Sequence, residues 1–435
     1  MHHRLRDIPA LLRTPLGRLE ARCAVAYRLG LRLDGVARLY RTTLLRSTRL
    51  IAVVGSFGKT TTTRAVMSAL GTVAPEDVPR NSGGWLPLKI LSVRPGRRYA
   101  ILEAGIGHRG EMARYARTLR PDIAVVTAVG SEHNRSLGGL DAIREEKADM
   151  VRALPPAGWA VLNGDDPNVH WMAGQTRARV VTFGFNEGND LRATELKLDW
   201  PNGSRFKLHT TGGVEAVRVR LIGQPMIYPV LAAAAVAVIE NVRLDEALHA
   251  LEALEPTPGR LQPVVLPNGA MLLRDDFKSP EETIEAALEV LAQIPARRRV
   301  VVLGDVSESI GKPREVCRRV GEKLAAVATQ AVFLAGQNSR SYRAGAKRGG
   351  LSAEALIDAG RSVLKAIEAL PSDLGPGDVV LIKGRDTQRL ERLSLALMGR
   401  SVRCHLKQCT VLATTTRCDQ CPMLERGWDG LRVVL

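Results

Sequence analysis

The sequence has no apolar run long enough to cross a membrane. The longest candidate, residues 230–239, spans ten residues, whereas a membrane-spanning helix needs about 20. Charged residues interrupt the beginning of the chain throughout, so that segment does not have the pattern of a secretory signal peptide. These absences predict a cytoplasmic protein.

Aromatic residues are scarce. Phe, Tyr and Trp together make up 4% of the chain, which argues against the aromatic platforms on which nucleic-acid bases stack. Acidic residues are outnumbered, 45 against 62 lysines and arginines, so the formal net charge is +17. Such a charge points to an acidic partner: a nucleotide, a nucleic acid or an anionic membrane surface. Since no nucleic-acid-binding motif is recognisable, we expect no nucleic acid among the partners.

The length of 435 residues exceeds what one hydrophobic core usually serves, so two or three domains are expected. The clearest break is the Pro- and Gly-rich stretch at residues 255–260, which we interpret as a domain boundary. Composition and pattern divide the chain into segments 1–48, 49–257, 258–400 and 401–435.

The stretch around which the chain is organised lies at residues 49–70. An apolar, β-branched run at residues 50–54 predicts a strand buried on both faces, and residues 61–70 have the pattern of a helix. Between them lies a glycine-rich loop made of Gly55, Ser56, Phe57, Gly58, Lys59 and Thr60.

A strand, a glycine loop and a helix that begins with Lys-Thr form a cradle for phosphate. Backbone N–H groups and the helix N-terminus face the anion, Lys59 adds a positive charge, and the hydroxyl of Thr60 can hold Mg²⁺. The spacing differs from that of the common phosphate loop, whose first glycine would fall at Val53. The alternative interpretation is an ordinary strand-to-helix turn that contains a lysine.

Two further polar residues follow predicted buried strands. Glu103 ends one apolar run, and His133 follows the run at residues 122–127. Ligands of parallel α/β sheets bind beyond the carboxyl ends of the strands, so both side chains are placed for metal or substrate contacts, although a lone histidine is more often structural. Lys147 lies in a predicted helix at residues 140–154 and, taken alone, has the pattern of a surface lysine.

The alternation of strands and helices restarts after residue 262. The predicted strands are 300–303, 331–334 and 379–382, and the predicted helices are 281–294, 313–327, 353–370 and 389–398. Alternating units of this length imply a second parallel sheet.

The tail contains four of the six cysteines, spaced C-x4-C-x8-C-x2-C: Cys404, Cys409, Cys418 and Cys421. In a cytoplasmic protein this pattern favours a metal clip over disulfides, and four thiolates suit a structural zinc ion. Incidental thiols are the alternative.

Residues 1–47 predict helices in which leucine and arginine alternate. Such a basic amphipathic segment can lie on an anionic membrane surface. The alternative, which we favour at this point, is a helical pair that packs on the next domain with its arginines in solvent.

Several motifs resemble those of the Mur ligase family, the ATP-dependent amide-forming ligases of peptidoglycan synthesis. The loop GSFGKTTTTR resembles that family's phosphate loop, a variant with its own spacing. The segments that most resemble the branch adding D-Ala-D-Ala to the UDP-muramoyl tripeptide are ILEAGIGHRGEM, RPDIAVVTAVGSEH and VLNGDDP. The likeness continues in PGRLQ, LRDD, VVVLGDVSE and VVLIKGR, and so covers roughly residues 49–400.

The resemblance implies an α/β fold with a central phosphate-loop ATPase domain and parallel sheet over residues 49–257. A Rossmann-like α/β ligase domain over 258–400 follows it, and a basic helical segment and a cysteine-containing tail flank the two. The implied activity is ATP-dependent acid–amino-acid ligation. A carboxylate attacks the γ-phosphate, and an amine then attacks the acyl phosphate to give an amide, ADP and phosphate.

The same resemblance assigns roles to single residues. It assigns ATP to the loop residues Gly55, Ser56, Phe57, Gly58, Lys59, Thr60 and Thr61. It assigns Mg²⁺ to Thr60, Glu103 and His133, and it makes Lys147 a carbamylated lysine whose new carboxylate serves the metal site. In the second half it places Arg260 on the phosphates and Asp276 on the ribose of ATP.

Three departures from the family pattern change the expected substrate. About fifty residues precede the phosphate loop, too few for the family's N-terminal UDP-sugar domain, and residues 223–233 lack the family's histidine and asparagines. The family's D-D-S-Y-N-A-N-P stretch is shortened at residues 275–280. UDP-muramoyl peptide is therefore not expected as the substrate.

We expect instead an acid from a cell-wall, lipid-linked or related peptide, an amine, and an optional partner subunit such as a glutaminase. A catalytically degenerate, nucleotide-binding scaffold of the same fold is the alternative function. A nucleic-acid-binding NTPase is suggested by the charge alone.

Overall fold

The computed structural model describes residues 12–13, 15–72, 81–407, 409, 418–421 and 423–426. The chain forms two compact units. The first unit runs from Ala26 to Glu255, and the second combines Pro256–Leu435 with the residues up to Val25. The first eleven residues of the predicted basic segment lie outside the described residues.

An eight-stranded sheet organises the first unit. Its strands are β1 Arg49–Val54, β2 Tyr99–Glu103, β3 Ile123–Val126, β4 Trp159–Asn163, β5 Arg179–Gly184, β6 Leu191–Asp199, β7 Gly203–Thr210 and β8 Gly213–Val219. They lie in the order β2-β1-β3-β4-β5-β6-β7-β8. The strands from β2 to β6 pair in parallel, and β7 and β8 add an antiparallel extension.

Helices cover both faces of this sheet. They are α2 Asp34–Thr43, α3 Lys59–Ala69, α4 Trp85–Ser92, α5 Glu111–Leu119, α6 Asn134–Leu137, α7 Leu140–Arg152, α8 Pro167–His170, α9 Ile227–Ile239 and α10 Leu244–Glu252. The helix α1 Pro15–Gly30 precedes them, and its residues from Ala26 onward belong to this unit. Along β1, Ile51 and Val53 enter the core that contains α9, whereas Ala52 and Val54 enter the core on the other face. The prediction that this strand is buried on both faces is confirmed.

The second unit contains a six-stranded sheet. Its strands are β9 Gln262–Val265, β10 Met271–Asp275, β11 Arg298–Leu303, β12 Gln330–Phe333, β13 Leu356–Asp358 and β14 Asp378–Lys383, in the order β13-β12-β11-β14-β10-β9. Only the edge strand β9 is antiparallel to its neighbour. The helices are α11 Glu281–Gln293, α12 Pro313–Ala325, α13 Ser339–Arg348, α14 Val363–Glu368, α15 Glu391–Leu397 and α16 Met423–Arg426. Two largely parallel sheets with flanking helices confirm the predicted α/β class.

The helix predicted at residues 353–370 is wrong in its first half. Leu356–Asp358 forms the edge strand β13, which pairs in parallel with β12. Gly360 then turns the chain with a positive φ of 63°, and its N–H donates to Oδ1 of Asp358 at 2.9 Å. Only the part from Val363 to Glu368 is helical, because the strand pairing and this turn override the helical pattern of the sequence.

The long apolar run of the sequence is a core helix. In α9 nearly every residue is buried in the first unit. No helix in the part of the chain that the structure describes has both the length and the apolar character to span a bilayer.

Candidate active site

The loop after β1 adopts a conformation that depends on its glycines. Gly55 has a φ of 147°, and a Cβ atom there would overlap the hydroxyl of Thr127. Gly58 has a φ of 84° and is the residue at which α3 begins to form. Side chains other than glycine rarely adopt these angles, so the two glycines let the loop turn tightly into the helix N-terminus, where backbone N–H groups can meet an anion.

Lys59 is the first residue of α3 and is only 7% exposed. Its ammonium donates to the carbonyl oxygens of Gly55 at 2.7 Å and Ser56 at 3.0 Å. It also lies 3.5 Å from Oε2 of Glu132. The loop therefore wraps around a positive charge, which is what a cradle for phosphate requires. These contacts disfavour an incidental lysine in an ordinary turn.

Thr60 and Glu103 meet at the carboxyl ends of β1 and β2. The hydroxyl of Thr60 donates to Oε2 of Glu103 at 2.9 Å, and Nδ2 of Asn81 donates to its Oε1 at 2.5 Å. A hydroxyl beside a carboxylate is a suitable donor set for Mg²⁺, which is usually held by one or two carboxylates together with water and substrate phosphate. Within the described residues, no group of three or more His, Cys, Asp or Glu side chains is arranged to hold a metal.

His133 lies at the same edge of the sheet, where it contacts its sequence neighbour Glu132. It has a φ of 69° and precedes α6, and its Nε2 lies 3.8 Å from Oε1 of Glu132. Glu132 is 6% exposed and faces Lys59 with its other oxygen. Glu132 was not predicted as a site residue, and its position directly before His133, in the loop after β3, was the available signal.

Lys147 is a buried residue of α7, only 1% exposed. The surface interpretation of this lysine is therefore wrong. Burial lowers the pKa of Lys147 well below its ordinary value, the positive charge of Lys59 lowers it further, and Glu146 acts in the opposite direction. A buried lysine with a lowered pKa holds a larger fraction of neutral amine, the form that reacts with CO₂.

These contacts bring together the predicted site residues of the first unit. Thr60 touches Glu103, Lys59 is linked to His133 through Glu132, and Lys147 lies within electrostatic reach of Lys59. The remaining predicted ATP contacts, Gly55, Ser56, Phe57, Gly58 and Thr61, adjoin Lys59 and Thr60 in the loop and at the start of α3. The shared location is the carboxyl edge of β1, β2 and β3, which is the ligand edge of a parallel sheet.

The two predicted nucleotide contacts of the second unit are each held by neighbours within that unit. The guanidinium of Arg260 lies over the ring of Phe277, 4.1 Å from its centroid. Asp276 is 6% exposed, and its Oδ2 accepts from Oγ of Ser394 at 3.1 Å and from Nε of Arg274 at 3.3 Å. Both side chains are thus fixed by protein contacts.

A buried ion pair that was not predicted from the sequence lies beside them. Nζ of Lys383 is 2.6 Å from Oδ2 of Asp275, at the carboxyl ends of β14 and β10. Burial lowers the pKa of Lys383, and the negative charge of Asp275 opposes that shift. The Lys-Gly-Arg sequence at the end of a predicted strand was the only signal for it.

Residues 223–233, which depart from the family pattern, include the aromatic residue Tyr228. Tyr228 donates its hydroxyl to Oδ2 of Asp165 at 3.0 Å, and its ring packs edge-on against Phe185 with 5.2 Å between centroids. Burial and the Asp165 carboxylate both raise the pKa of Tyr228.

The cysteines of the tail are free thiols, and the described residues contain no metal-holding group among them. Cys409 and Cys421 pack against Met423, whereas Cys418 lies in a second apolar cluster and Cys404 accepts a hydrogen bond from a buried arginine. Burial raises the pKa values of the Cys418 and Cys421 thiols, and the neighbouring thiol of Cys409 adds to both shifts. The zinc clip therefore stays a prediction.

Two family models match the chain. The Mur ligase middle domain matches residues 53–237, and the Mur ligase, glutamate ligase domain matches residues 259–385. The first covers the phosphate loop, Glu103, His133 and Lys147, and the second covers Arg260 and Asp276.

Two curated relatives share one enzyme name. The UDP-N-acetylmuramoyl-tripeptide–D-alanyl-D-alanine ligase of Escherichia coli (strain K12) is 31% identical over 299 residues, which are 67% of this chain and 66% of the relative. The ligase of the same name from Mycobacterium bovis is 32% identical over 373 residues, 80% of this chain and 73% of the relative. The chain thus spans about two thirds to three quarters of these proteins.

Two solved MurF structures are similar in fold to this chain. MurF from Acinetobacter baumannii superposes with a TM-score of 0.74 at 25% identity, covering 86% of this chain and 81% of that one. MurF ligase from Thermotoga maritima, solved in complex with ADP, has a TM-score of 0.73 at 22% identity, covering 84% and 82%, and shares the fold.

Proposed function

We infer, because this chain belongs to the Mur ligase family, that it is an ATP-dependent ligase that joins a carboxylate to an amine. The observation that carries the inference is the convergence of Lys59, Thr60, Glu103 and Lys147 at the carboxyl edge of one parallel sheet. A positive charge, an oxygen donor set and a buried lysine in one place suit phosphoryl transfer better than nucleotide binding alone.

The reaction proceeds in two steps. An oxygen of the acid substrate attacks the γ-phosphorus of ATP, the bond to the β,γ-bridging oxygen breaks, and ADP leaves. The amine of the second substrate then attacks the carbonyl carbon of the acyl phosphate, phosphate leaves, and the amine loses a proton. The loop amides and Lys59 stabilise charge on the transferred phosphoryl group, and Arg260 is proposed as a further phosphate contact.

Mg²⁺ fits the oxygen donors at the loop. We propose that Thr60 and Glu103 hold one ion and that Glu103 and His133 contribute to a second. When bound, the ions would neutralise phosphate charge. Asn81 orients Glu103 through the hydrogen bond to its Oε1.

Lys147 is proposed to be carbamylated. The burial of its side chain and the lowering of its pKa both favour the neutral amine that the modification requires. The resulting carboxylate would place a negative charge beside Lys59 and the metal-holding residues.

The substrates are proposed from the names of the relatives and the departures of this chain. The relatives act on a UDP-N-acetylmuramoyl tripeptide and D-alanyl-D-alanine, as their names state. We propose for this chain a cell-wall or related peptide as the acid, an amino acid or small peptide as the amine, and a partner subunit that could supply the amine. Asp276 is proposed as the ribose contact of ATP.

We propose that Cys404, Cys409, Cys418 and Cys421 hold one zinc ion. Metal analysis of the purified chain tests this proposal: about one zinc per chain supports it, and a chain without zinc contradicts it. We propose a cytoplasmic ligase, peripheral at the membrane.

ADP release by the purified chain tests the function. We expect multiple-turnover release only when ATP, an acid and an amine are present together, because the acyl phosphate accumulates without the amine. A panel of cell-wall peptides paired with amino acids and D-alanyl-D-alanine supplies the substrates. ATP binding without ADP release for any pair would instead support the scaffold function.

A further inference from the structure

Apolar side chains are exposed in one short stretch of the N-terminal helices. The described residues include eleven large apolar side chains that are exposed, and five of them fall within sixteen consecutive residues. These five are Leu29, Leu31, Val36, Leu39 and Leu44, between 39% and 63% exposed. Single exposed apolar side chains are ordinary on a protein surface, whereas five in so short a stretch mark an interaction surface.

The exposed charged residues in and beside this stretch are all positive. Arg28, Arg32, Arg38 and Arg46 are all exposed. The sole carboxylate between residues 26 and 47 is Asp34, which lies 3.6 Å from a guanidinium nitrogen of Arg114. We call these five apolar side chains and four arginines the N-terminal face.

The opposite side of α2 fixes this face to the first unit. Ala37 is fully buried, and the buried guanidinium of Arg41 donates to Asp122 at 2.9 Å and to three backbone carbonyls. Positions 37 and 41 lie one turn apart on one side of the helix, and Val36 and Leu39 lie on the other. Packing on the domain, the interpretation favoured from the sequence, therefore uses one side of α2 and leaves apolar side chains on the other.

The end of α1 is fixed to the loop that also supports the candidate active site. A Cβ atom at Gly30 would overlap the carbonyl of Gly84, so only glycine permits this close approach of the backbones. The ring of Tyr27 lies 6.2 Å from that of Trp85. The same loop begins at Asn81, which donates to Glu103.

We propose that the N-terminal face binds the surface of an anionic lipid bilayer. The apolar side chains enter the region between headgroups and acyl chains, and the arginines contact the phosphates of anionic lipids. Charge complementarity favours an anionic bilayer as the partner of this face. Four exposed arginines without an exposed carboxylate repel a basic surface and attract an acidic one. The proposal rests on the proposed function in one respect, since a face held by the Asn81 loop would bring a lipid-linked acid towards Glu103.

Vesicle sedimentation in the absence of ATP tests the proposal. The full chain is mixed with phosphatidylcholine vesicles that contain about 30% phosphatidylglycerol, and with vesicles of phosphatidylcholine alone. We expect binding to the anionic vesicles that weakens as salt rises from about 0.05 to about 0.5 M, and much weaker binding to the neutral ones. Equal binding to both would remove the arginines from the contact and overturn the proposal.

Matched variants locate the contact. The double variant Arg32→Gln/Arg38→Gln should bind about 25-fold more weakly, at about fivefold for each arginine, and Val36→Ser/Leu39→Ser should lose about tenfold or more. Val214→Ser/Val238→Ser and Arg218→Gln/Arg243→Gln change equally exposed residues elsewhere in the unit and should bind like the parent chain. If the control variants lose as much binding as the first two, the N-terminal face is not the contact.

Vesicle binding and ligase activity can be tested separately. Lys59→Ala should still bind vesicles, and Val36→Ser/Leu39→Ser should release ADP from water-soluble substrates at the parental rate. If vesicles do not bind and sedimentation shows that Val36→Ser/Leu39→Ser dissociates an oligomer, the face is a protein interface and the lipid proposal fails while the ligase proposal stands.

Discussion

The ammonium of Lys59 lies 3.5 Å from Oε2 of Glu132, and the other oxygen of that carboxylate lies 3.8 Å from Nε2 of His133. The carboxylate of Glu132 and the carbonyls of Gly55 and Ser56 therefore all contact the ammonium of Lys59. An incoming phosphate and this carboxylate are both anions, so they compete for the same ammonium.

The first prediction follows from this competition. Glu132→Gln retains the size of the side chain and removes its charge, so ATP should bind about three- to tenfold more tightly. Calorimetric titration with ATP measures the change. Glu145→Gln, on the exposed side of α7 where Glu145 pairs with Arg152, is the control and should leave the affinity unchanged. Weaker ATP binding by Glu132→Gln would show that the carboxylate orients Lys59 for the nucleotide rather than competing with it.

The second prediction concerns Lys59 itself. Lys59→Ala removes the positive charge at the centre of the loop, so ADP release should fall by about 10²- to 10³-fold or more, with the circular dichroism spectrum retained. Lys207→Ala removes a half-exposed lysine on β7 and should keep parental activity. Parental turnover by Lys59→Ala would exclude the loop from the mechanism.

The parts of the site that local patterns specify could be predicted from the sequence. A buried strand followed by Gly55 to Thr60 specifies the loop, and polar residues at strand ends specify Glu103 and His133. The burial of Lys147 could not be predicted in this way, because its helix also carries Arg144, Glu145 and Glu146, and only tertiary packing determines which side faces inward. Lys383 and Asp275 pair across 108 residues of sequence, a separation that no local pattern spans.

In the fold, too, some elements could be predicted from local sequence patterns and others could not. The strands with continuous apolar runs, such as β1, β2 and β14, were predictable because burial on both faces leaves a plain signal in the sequence. The strand β13 was not, since Leu356–Asp358 is short and lies at an edge within a helical pattern. The apolar residues of the N-terminal face were visible as leucines among arginines, but their exposure depends on how α2 packs.

The third prediction concerns the shape of the loop. Gly55→Ala would place a methyl group against Thr127 at a φ of 147°, so it should lower the thermal midpoint of the first unit, at a cost of about 1–3 kcal/mol. ATP affinity should fall with it. Gly174→Ala adds a methyl group where the structure has open space, and the midpoint should stay within about 2 °C of the parental value. Scanning calorimetry compares them, and equal midpoints would contradict the strained geometry.

The fourth prediction concerns pH and the second unit. Hydrogen bonds from Arg298 and then Arg297 lower the pKa of Asp378, which is fully buried. A carboxyl whose pKa is lower in the folded state stabilises the fold above its unfolded pKa of about 3.9 and loses that contribution as pH falls. Asp378→Asn should therefore cost about 1–3 kcal/mol at neutral pH, and the difference should shrink below about pH 5.

Thermal unfolding of both chains across this pH range measures that change. Asp373→Asn is the control, because Asp373 also binds Arg298 but is exposed, and it should cost less than about 1 kcal/mol. A difference between the parent chain and Asp378→Asn that stayed constant down to about pH 3.5 would contradict the assignment.

The last prediction concerns Lys147, which is buried beside a second positive charge. A buried lysine without a chemical role should be replaceable by methionine, which has a similar volume and no charge to desolvate, and stability should hold or rise. If the side chain is carbamylated, Lys147→Met removes an anion from the site, so ADP release should fall by about 10²-fold or more although the fold is retained.

In CO₂-depleted buffer the parent chain should lose activity and regain it with bicarbonate, whereas Lys147→Met should not respond. A short carboxylic acid should partly restore Lys147→Ala, whose smaller side chain leaves room for it. Intact mass measured under native conditions gives a readout independent of activity, an addition of one CO₂ that Lys147→Met lacks. Full activity of Lys147→Met in buffer with bicarbonate would make Lys147 a structural residue and exclude the carbamate from the reaction.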